Sequence, residues 1–145
     1  MKRMLADDRF IEPKLFRSAI SSPVAVSING HVGIINSAFA KPVVVHIRNI
    51  VHYEIYFDGH SVASSGEAGK DELQFKDAAR VLEQRMREKT KRVNLMFVMD
   101  DKSMVNIVLF SGGSRLISEM KESTQKEILQ LLGTLEEVEK KIKKM

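Results

Sequence analysis

Three side chains near the middle of the chain, His46, His52 and Glu54, are of types that can do chemistry. Two imidazoles and a carboxylate are ligands that zinc accepts. If residues 43–47 and 51–57 pair through a tight turn at Asn49, His46 falls opposite His52, and Arg48, Glu54 and Tyr56 share that face. The spacing is not a metal signature, and polar residues on the outer side of a half-buried sheet account for it better. No cofactor or metal is assigned on this basis. His31 and His60 each follow a hairpin turn and read as ordinary residues there.

Two other groupings invite a ligand. Arg85, Arg87, Lys89, Lys91 and Arg92 crowd the end of the central helix, where cations also complement the helix dipole without any ligand. As a nucleic-acid surface the cluster needs aromatic or basic help from elsewhere, and the chain has no Trp and only two Tyr. Gly112, Gly113 and Ser114, between a strand and a helix, could present backbone N–H groups to an anion. They lack the Gly-x-x-x-x-Gly-Lys pattern of a phosphate loop, and glycine pairs at strand ends commonly serve as turns. With no cysteine, disulfides, thiolate metal sites and a cysteine nucleophile are all excluded. No Gly-x-Ser-x-Gly elbow is present, and Asp7-Asp8 and Asp100-Asp101 read as a terminus and a turn. The net charge of +4 is thinly spread, which permits nucleic-acid binding without pointing to it.

The elements that must hold these residues are mostly strands. Residues 24–28 and 32–35 flank Asn29-Gly30, a strong hairpin signal, because a type I′ turn needs positive φ at both central positions. Residues 43–47 follow Pro42, and residues 51–57 run to a second such turn at Asp58-Gly59 before returning through 60–64. Val51, Tyr53, Ile55 and Phe57 alternate onto one apolar face. Residues 64–69 read as a flexible loop. Asp71 is placed to cap a helix striped by Phe75, Ala78, Ala79, Leu82 and Met86. Residues 93–99 and 104–110 form a further hairpin, apolar on both faces, which predicts cover on both sides. Leu15, Phe16 and Ile20 suit a short helix after Pro13.

Consecutive hairpins without βαβ alternation predict a single α+β domain over residues 1–145, with about seven short antiparallel strands. A central amphipathic helix and a long C-terminal helix over 115–145 complete it, and residues 1–12 read as a candidate mobile terminus. The opening residues reach Asp7 and Asp8 before any apolar run, so neither a signal peptide nor a membrane span is expected, and a cytoplasmic location is.

The C-terminal helix carries the functional expectation. Ile128, Leu131, Leu135, Val138, Ile142 and Met145 recur at alternating spacings of three and four, and Thr124-x-x-Glu127 is placed to cap their helix. Glu136/Lys140, Glu137/Lys141 and Glu139/Lys143 are Glu-first pairs on the charged side. Leu129 and Leu132 widen the stripe, so the helix is expected to turn these two towards its own sheet and Leu131, Leu135 and Val138 towards a neighbour. Gly133 weakens the helix locally and marks a candidate close approach by another backbone. The function expected is that of a non-enzymatic adaptor. It would bind a protein partner and form a homo-oligomer through Ile128, Leu131, Leu135, Val138 and Ile142. The alternatives are nucleic-acid binding by the Arg85–Arg92 cluster and a small ligand-binding domain or enzyme on the His46/His52/Glu54 face.

Overall fold

Every strand pairs antiparallel with its neighbours, as a run of hairpins requires. The computed structural model describes residues 8–35, 41–65, 73–85, 90–112 and 120–143. Strands β1 (Lys14–Phe16), β2 (Val24–Val26), β3 (His31–Ile34) and β4 (Val43–His46) form one four-stranded sheet in sequential order. Strands β5 (Ile50–Phe57), β6 (His60–Ser64), β7 (Arg92–Met99) and β8 (Met104–Ser111) form a second, ordered β6-β5-β7-β8. Helix α1 (Phe75–Arg85) lies between β6 and β7 in the chain, and α2 (Glu122–Lys143) follows β8. The α+β class and the long C-terminal helix agree with the sequence pattern.

Three local expectations are corrected. Lys14-Leu15-Phe16 is a strand and not a helix, paired with Val26, Ala25 and Val24. Pairing with β2 overrides the helical spacing of Leu15, Phe16 and Ile20, and Phe16 is buried. Second, β4 and β5 do not pair. A 3-10 turn over Ile47–Asn49 passes the chain from one sheet to the other, fixed by Ile47 N–H donating to Gly30 O and Asp100 N–H to Asn49 O. Third, Val51 points outward at 57% exposure, because a bulge shifts the β5–β7 register between Ile50 and His52. Ile50 then joins Tyr53, Ile55 and Phe57 in the core.

The hairpin turns differ from one another. Asp58 and Gly59 both have positive φ, as the expected turn needs. At Asn29-Gly30 only the glycine does, at 97°, and Ser27 N–H donates to His31 O across the loop. A Cβ on Gly30 would lie 2.7 Å from His46 Cε1, so both conformation and space demand glycine there.

The inner faces of β7 and β8 behave as the hydrophobic runs imply. Leu95, Phe97, Ile107 and Leu109 are fully buried together with Phe75 and Leu82 of α1. Phe75 stacks on Tyr53 at 4.7 Å and meets Phe97 edge-on at 6.3 Å. Their outer faces are another matter: Met96, Val98, Val108 and Phe110 are half-buried and Met104 is 67% exposed. The expected cover on both sides is therefore not found among the described residues. Asn94 and Asn106, with His52, Glu54 and Tyr56 of β5, make that face mixed rather than apolar.

Helix α2 closes the core. Ile128, Leu131, Leu132 and Leu135 are fully buried, Val138 nearly so, and Leu129 and Ile142 pack on the same cluster. The division into a home side and a neighbour side is thus corrected, since Leu131, Leu135 and Val138 face their own chain. The wide stripe is consumed by two sheets and α1, which between them surround more than one side of the helix.

The charged side of α2 is also partly internal. Glu139 accepts the Leu73 N–H at 3.0 and 3.2 Å, and Glu136 accepts the Lys76 N–H at 3.3 Å. Lys76 N–H is a first-turn donor of α1 with no partner within its own helix, and Leu73 lies two residues before the helix. Lys143 and Lys140 pair with the same two carboxylates at 3.1 and 3.6 Å. Asp71, the expected cap, lies outside the described residues. The Thr124/Glu127 capping box does not form, because α2 starts at Glu122 and Thr124 is already within it. Glu127 instead accepts the N–H groups of Ala19 and Ile20, each at 3.1 Å, and Thr124 donates its hydroxyl to Ala19 O at 3.5 Å.

Candidate functional site

The polar face expected around His46, His52 and Glu54 is divided between the two sheets. His46 lies opposite His31 on β3, with the rings edge-on at 4.8 Å, whereas His52 lies opposite Val98 on β7. His46 Nε2 donates to Asn29 O at 2.8 Å, and Nδ1 accepts the Arg48 N–H at 3.2 Å. Burial, together with the nearby Arg48 and His31 and against the pull of the Asn29 carbonyl, lowers its pKa.

His52 and Glu54 remain together and gain a partner that the sequence did not single out. Alternation places His52, Glu54 and Tyr56 on the outer side of β5. Ser65, the residue after β6, lies alongside, where its N–H donates to Tyr53 O. Ser65 Oγ is 2.6 Å from His52 Nδ1, His52 Nε2 is 3.1 Å from Glu54 Oε1, and the Tyr56 hydroxyl donates to Glu54 Oε2 at 2.5 Å. The Tyr56 and His52 hydrogen bonds hold the Glu54 carboxyl below its usual range, and the same bond raises the Tyr56 phenol. With its ring proton on Nε2, His52 donates to Glu54 and accepts the Ser65 hydroxyl, the polarity of a serine–base–acid relay. The relay faces outward, with the His52 and Glu54 side chains 31% and 28% exposed. It binds β5 to β6 whether or not it does chemistry. Among the described residues no group of three or more His, Asp or Glu could hold a metal ion.

The basic cluster is also divided. Arg85 ends α1 and Arg92 begins β7, with Lys91 beside it, whereas Arg87 and Lys89 lie outside the described residues. The backbone at this bend is anchored by Asp58, whose carboxylate accepts the N–H groups of Lys91 and Arg92 and the Thr90 hydroxyl. Arg92 Nε donates to Asn94. Of the glycine-rich turn, Gly112 gives its N–H to Lys91 O at 2.8 Å, so that donor is not free for an anion. Gly113 and Ser114 lie outside the described residues.

The interface residues Ile128, Leu131, Leu135 and Val138 are buried, so they offer no surface to a partner in the folded chain. Among the residues that α2 does expose are Gln130, Gly133 and Glu137, which lie along one line. Opposite that line runs β1, the edge strand of the first sheet. The two elements enclose an open groove of about 500 Å³ lined by Lys14, Leu15, Phe16, Gln130, Gly133, Thr134 and Glu137. A Cβ built on Gly133 meets nothing within 4 Å, so the close approach expected there is not made by any described residue. Sequence reading missed the groove because it took residues 14–16 for a helix. Gly133 was the one signal that could have found it.

Among the described residues no helix is long and apolar enough to cross a membrane. In comparisons with protein-family models, with curated proteins and with solved structures, nothing matches this chain.

Proposed function

We propose that this chain is a non-enzymatic binding domain that receives a segment of another protein in the groove between β1 and α2. The observation that carries the reading is Gly133. A glycine inside a helix costs about 1 kcal/mol against alanine. Here no described residue demands it, because a Cβ at that position meets nothing within 4 Å outside its own helical turn. A local cost without a structural return is what binding surfaces leave behind, where a ligand must come close to the backbone. The buried seam argues against assembly through the helix stripe, so the partner is taken to be a different protein rather than a second α2. The Ser65–His52–Glu54 relay is half-buried on the outer face of the sheet, where its hydrogen bonds also tie β5 to the end of β6.

The test uses peptides displayed on phage as a random dodecamer library and selected on the immobilised full chain. Selected sequences are then synthesised with a fluorescein label. Binding followed by fluorescence anisotropy should fall at least about tenfold, or 1.4 kcal/mol, in Gly133→Leu, which fills the groove with a good helix former. Equal affinity for parent and variant, or no selectable peptide, would remove the groove as the binding surface.

A further inference from the structure

We infer that Ser65 is a nucleophile, activated by His52 and Glu54, that takes an acyl group from an activated ester onto its own hydroxyl. This goes beyond the groove reading and shares no residue with it, so either can fail alone. The argument is one of proton direction. The bonds from Tyr56 and His52 hold the Glu54 carboxyl below its usual range, so it is ionised at neutral pH and only accepts hydrogen bonds. Its Oε1, 3.1 Å from His52 Nε2, therefore requires the ring proton on that nitrogen. The neutral ring has one lone pair left, on Nδ1, and Ser65 Oγ lies 2.6 Å from it. The hydroxyl is oriented from its other side as well. Tyr53 N–H donates to Ser65 Oγ at 3.1 Å, while Ser65 N–H donates to Tyr53 O at 3.0 Å. With Oγ accepting that amide, the hydroxyl proton is directed to His52.

A hydroxyl bonded to an imidazole whose far nitrogen meets a carboxylate can shed its proton as it attacks. Ser65 Oγ forms a bond to the ester carbonyl carbon, and its proton passes to His52 Nδ1. As the carbonyl re-forms, the bond from that carbon to the leaving oxygen breaks. The leaving group takes the proton from Nδ1 and departs as its alcohol or phenol. The products are an O-acyl serine and one alcohol, with His52 neutral again and no co-reactant consumed. Glu54 keeps its charge throughout and faces the imidazolium while it exists. Tyr56 positions that carboxylate by donating to its other oxygen at 2.5 Å. The His52 and Glu54 side chains are partly exposed and Ser65 is half-buried, so a small ester can reach the hydroxyl. Val98 and Met96 of β7, opposite His52 and Glu54 and half-buried, give the same face an apolar part for the acyl or aryl group.

The experiment exposes the full chain to p-nitrophenyl acetate and follows acetylation of each serine by peptide mass spectrometry. Ser65 should be acetylated at least about a hundredfold faster than any other serine of the chain, the usual worth of a positioned base. His52→Gln should remove that advantage. Glu54→Gln should reduce it, because a neutral amide no longer fixes the ring proton on Nε2. A second measurement needs no variant. In the parent, the rate at Ser65 should rise with pH in step with the neutral fraction of His52, read from its ring signals by NMR. A ring that served only to hold the strands together would not produce that coincidence. Acetylation of Ser65 no faster than that of other serines would overturn the inference. So would a rate that ignored the His52 titration, or a folded His52→Gln protein that reacted like the parent.

Discussion

The carboxylate of Glu139 receives the backbone N–H of Leu73, so the end of the C-terminal helix holds the segment that leads into the central one. Two segments far apart in the chain are tied by an acceptor that is 2% exposed. Glu136 repeats the arrangement one turn earlier with Lys76. A buried carboxylate is tolerated here because it meets the Leu73 N–H with both oxygens and the Lys143 ammonium at 3.1 Å.

Glu139→Ala should therefore destabilise the fold by about 2–3 kcal/mol, the cost of leaving a buried donor unpaired. Urea unfolding measures it. A loss below about 0.5 kcal/mol, the range of ordinary surface substitutions, would mean that the Leu73 N–H finds another acceptor.

Two glycines should respond in opposite directions. Gly133→Ala, with open space and helical backbone, should stabilise by about 1 kcal/mol. Gly30→Ala must hold a φ of 97° and push against His46, and should cost about 2–3 kcal/mol. Thermal melts of both variants check the pair. A destabilised Gly133→Ala would show that this glycine serves the fold after all.

Stability should fall as pH drops from 7 towards 5. Folded His46 has its pKa held below the ordinary value of about 6.5, so the unfolded chain takes up a proton first. Its contribution is complete above that value and is lost as pH falls towards the folded pKa. Protonation would turn Nδ1 from acceptor to donor against the Arg48 N–H and add charge beside Arg48 and His31. A ring titration by NMR with a midpoint at or above 6.5 would contradict this. A second decline is expected at lower pH, where protonating Glu54 and Asp101 breaks their bonds from Tyr56 and Ser103.

Leu135→Glu should unfold the chain rather than dissociate an assembly. The side chain is fully buried, and an unpaired charge there costs several kcal/mol. The melting temperature of the variant should drop without depending on protein concentration. Light scattering of the parent over a hundredfold concentration range should give the mass of one chain. A parent dimer that Leu135→Glu converts to a folded monomer would restore the helix stripe as an interface.

Local patterning settled much of this architecture in advance. The short apolar runs in residues 93–99 and 104–110 marked strands, the stripe of Phe75, Ala78 and Leu82 marked a helix, and Asp58-Gly59 marked its turn. These signals are legible because steric preference and solvent exposure act on neighbours a few residues apart. Gly133 was legible in the same way, as a local cost, though its meaning was not. The destinations of the elements depended on contacts between distant segments. A 3-10 turn held by Gly30 and Asp100 sends β4 and β5 into different sheets and separates His46 from His52. The return of the chain along β5 brings Ser65 to His52. The carboxylates of Glu127, Glu136 and Glu139, ordinary surface charges by spacing, turn inward because backbone donors of other segments wait there unpaired. Whether the stripe on α2 met its own sheets or another chain was likewise a tertiary outcome. The same leucines satisfy either arrangement, and the choice went to the nearest apolar surface large enough to cover them.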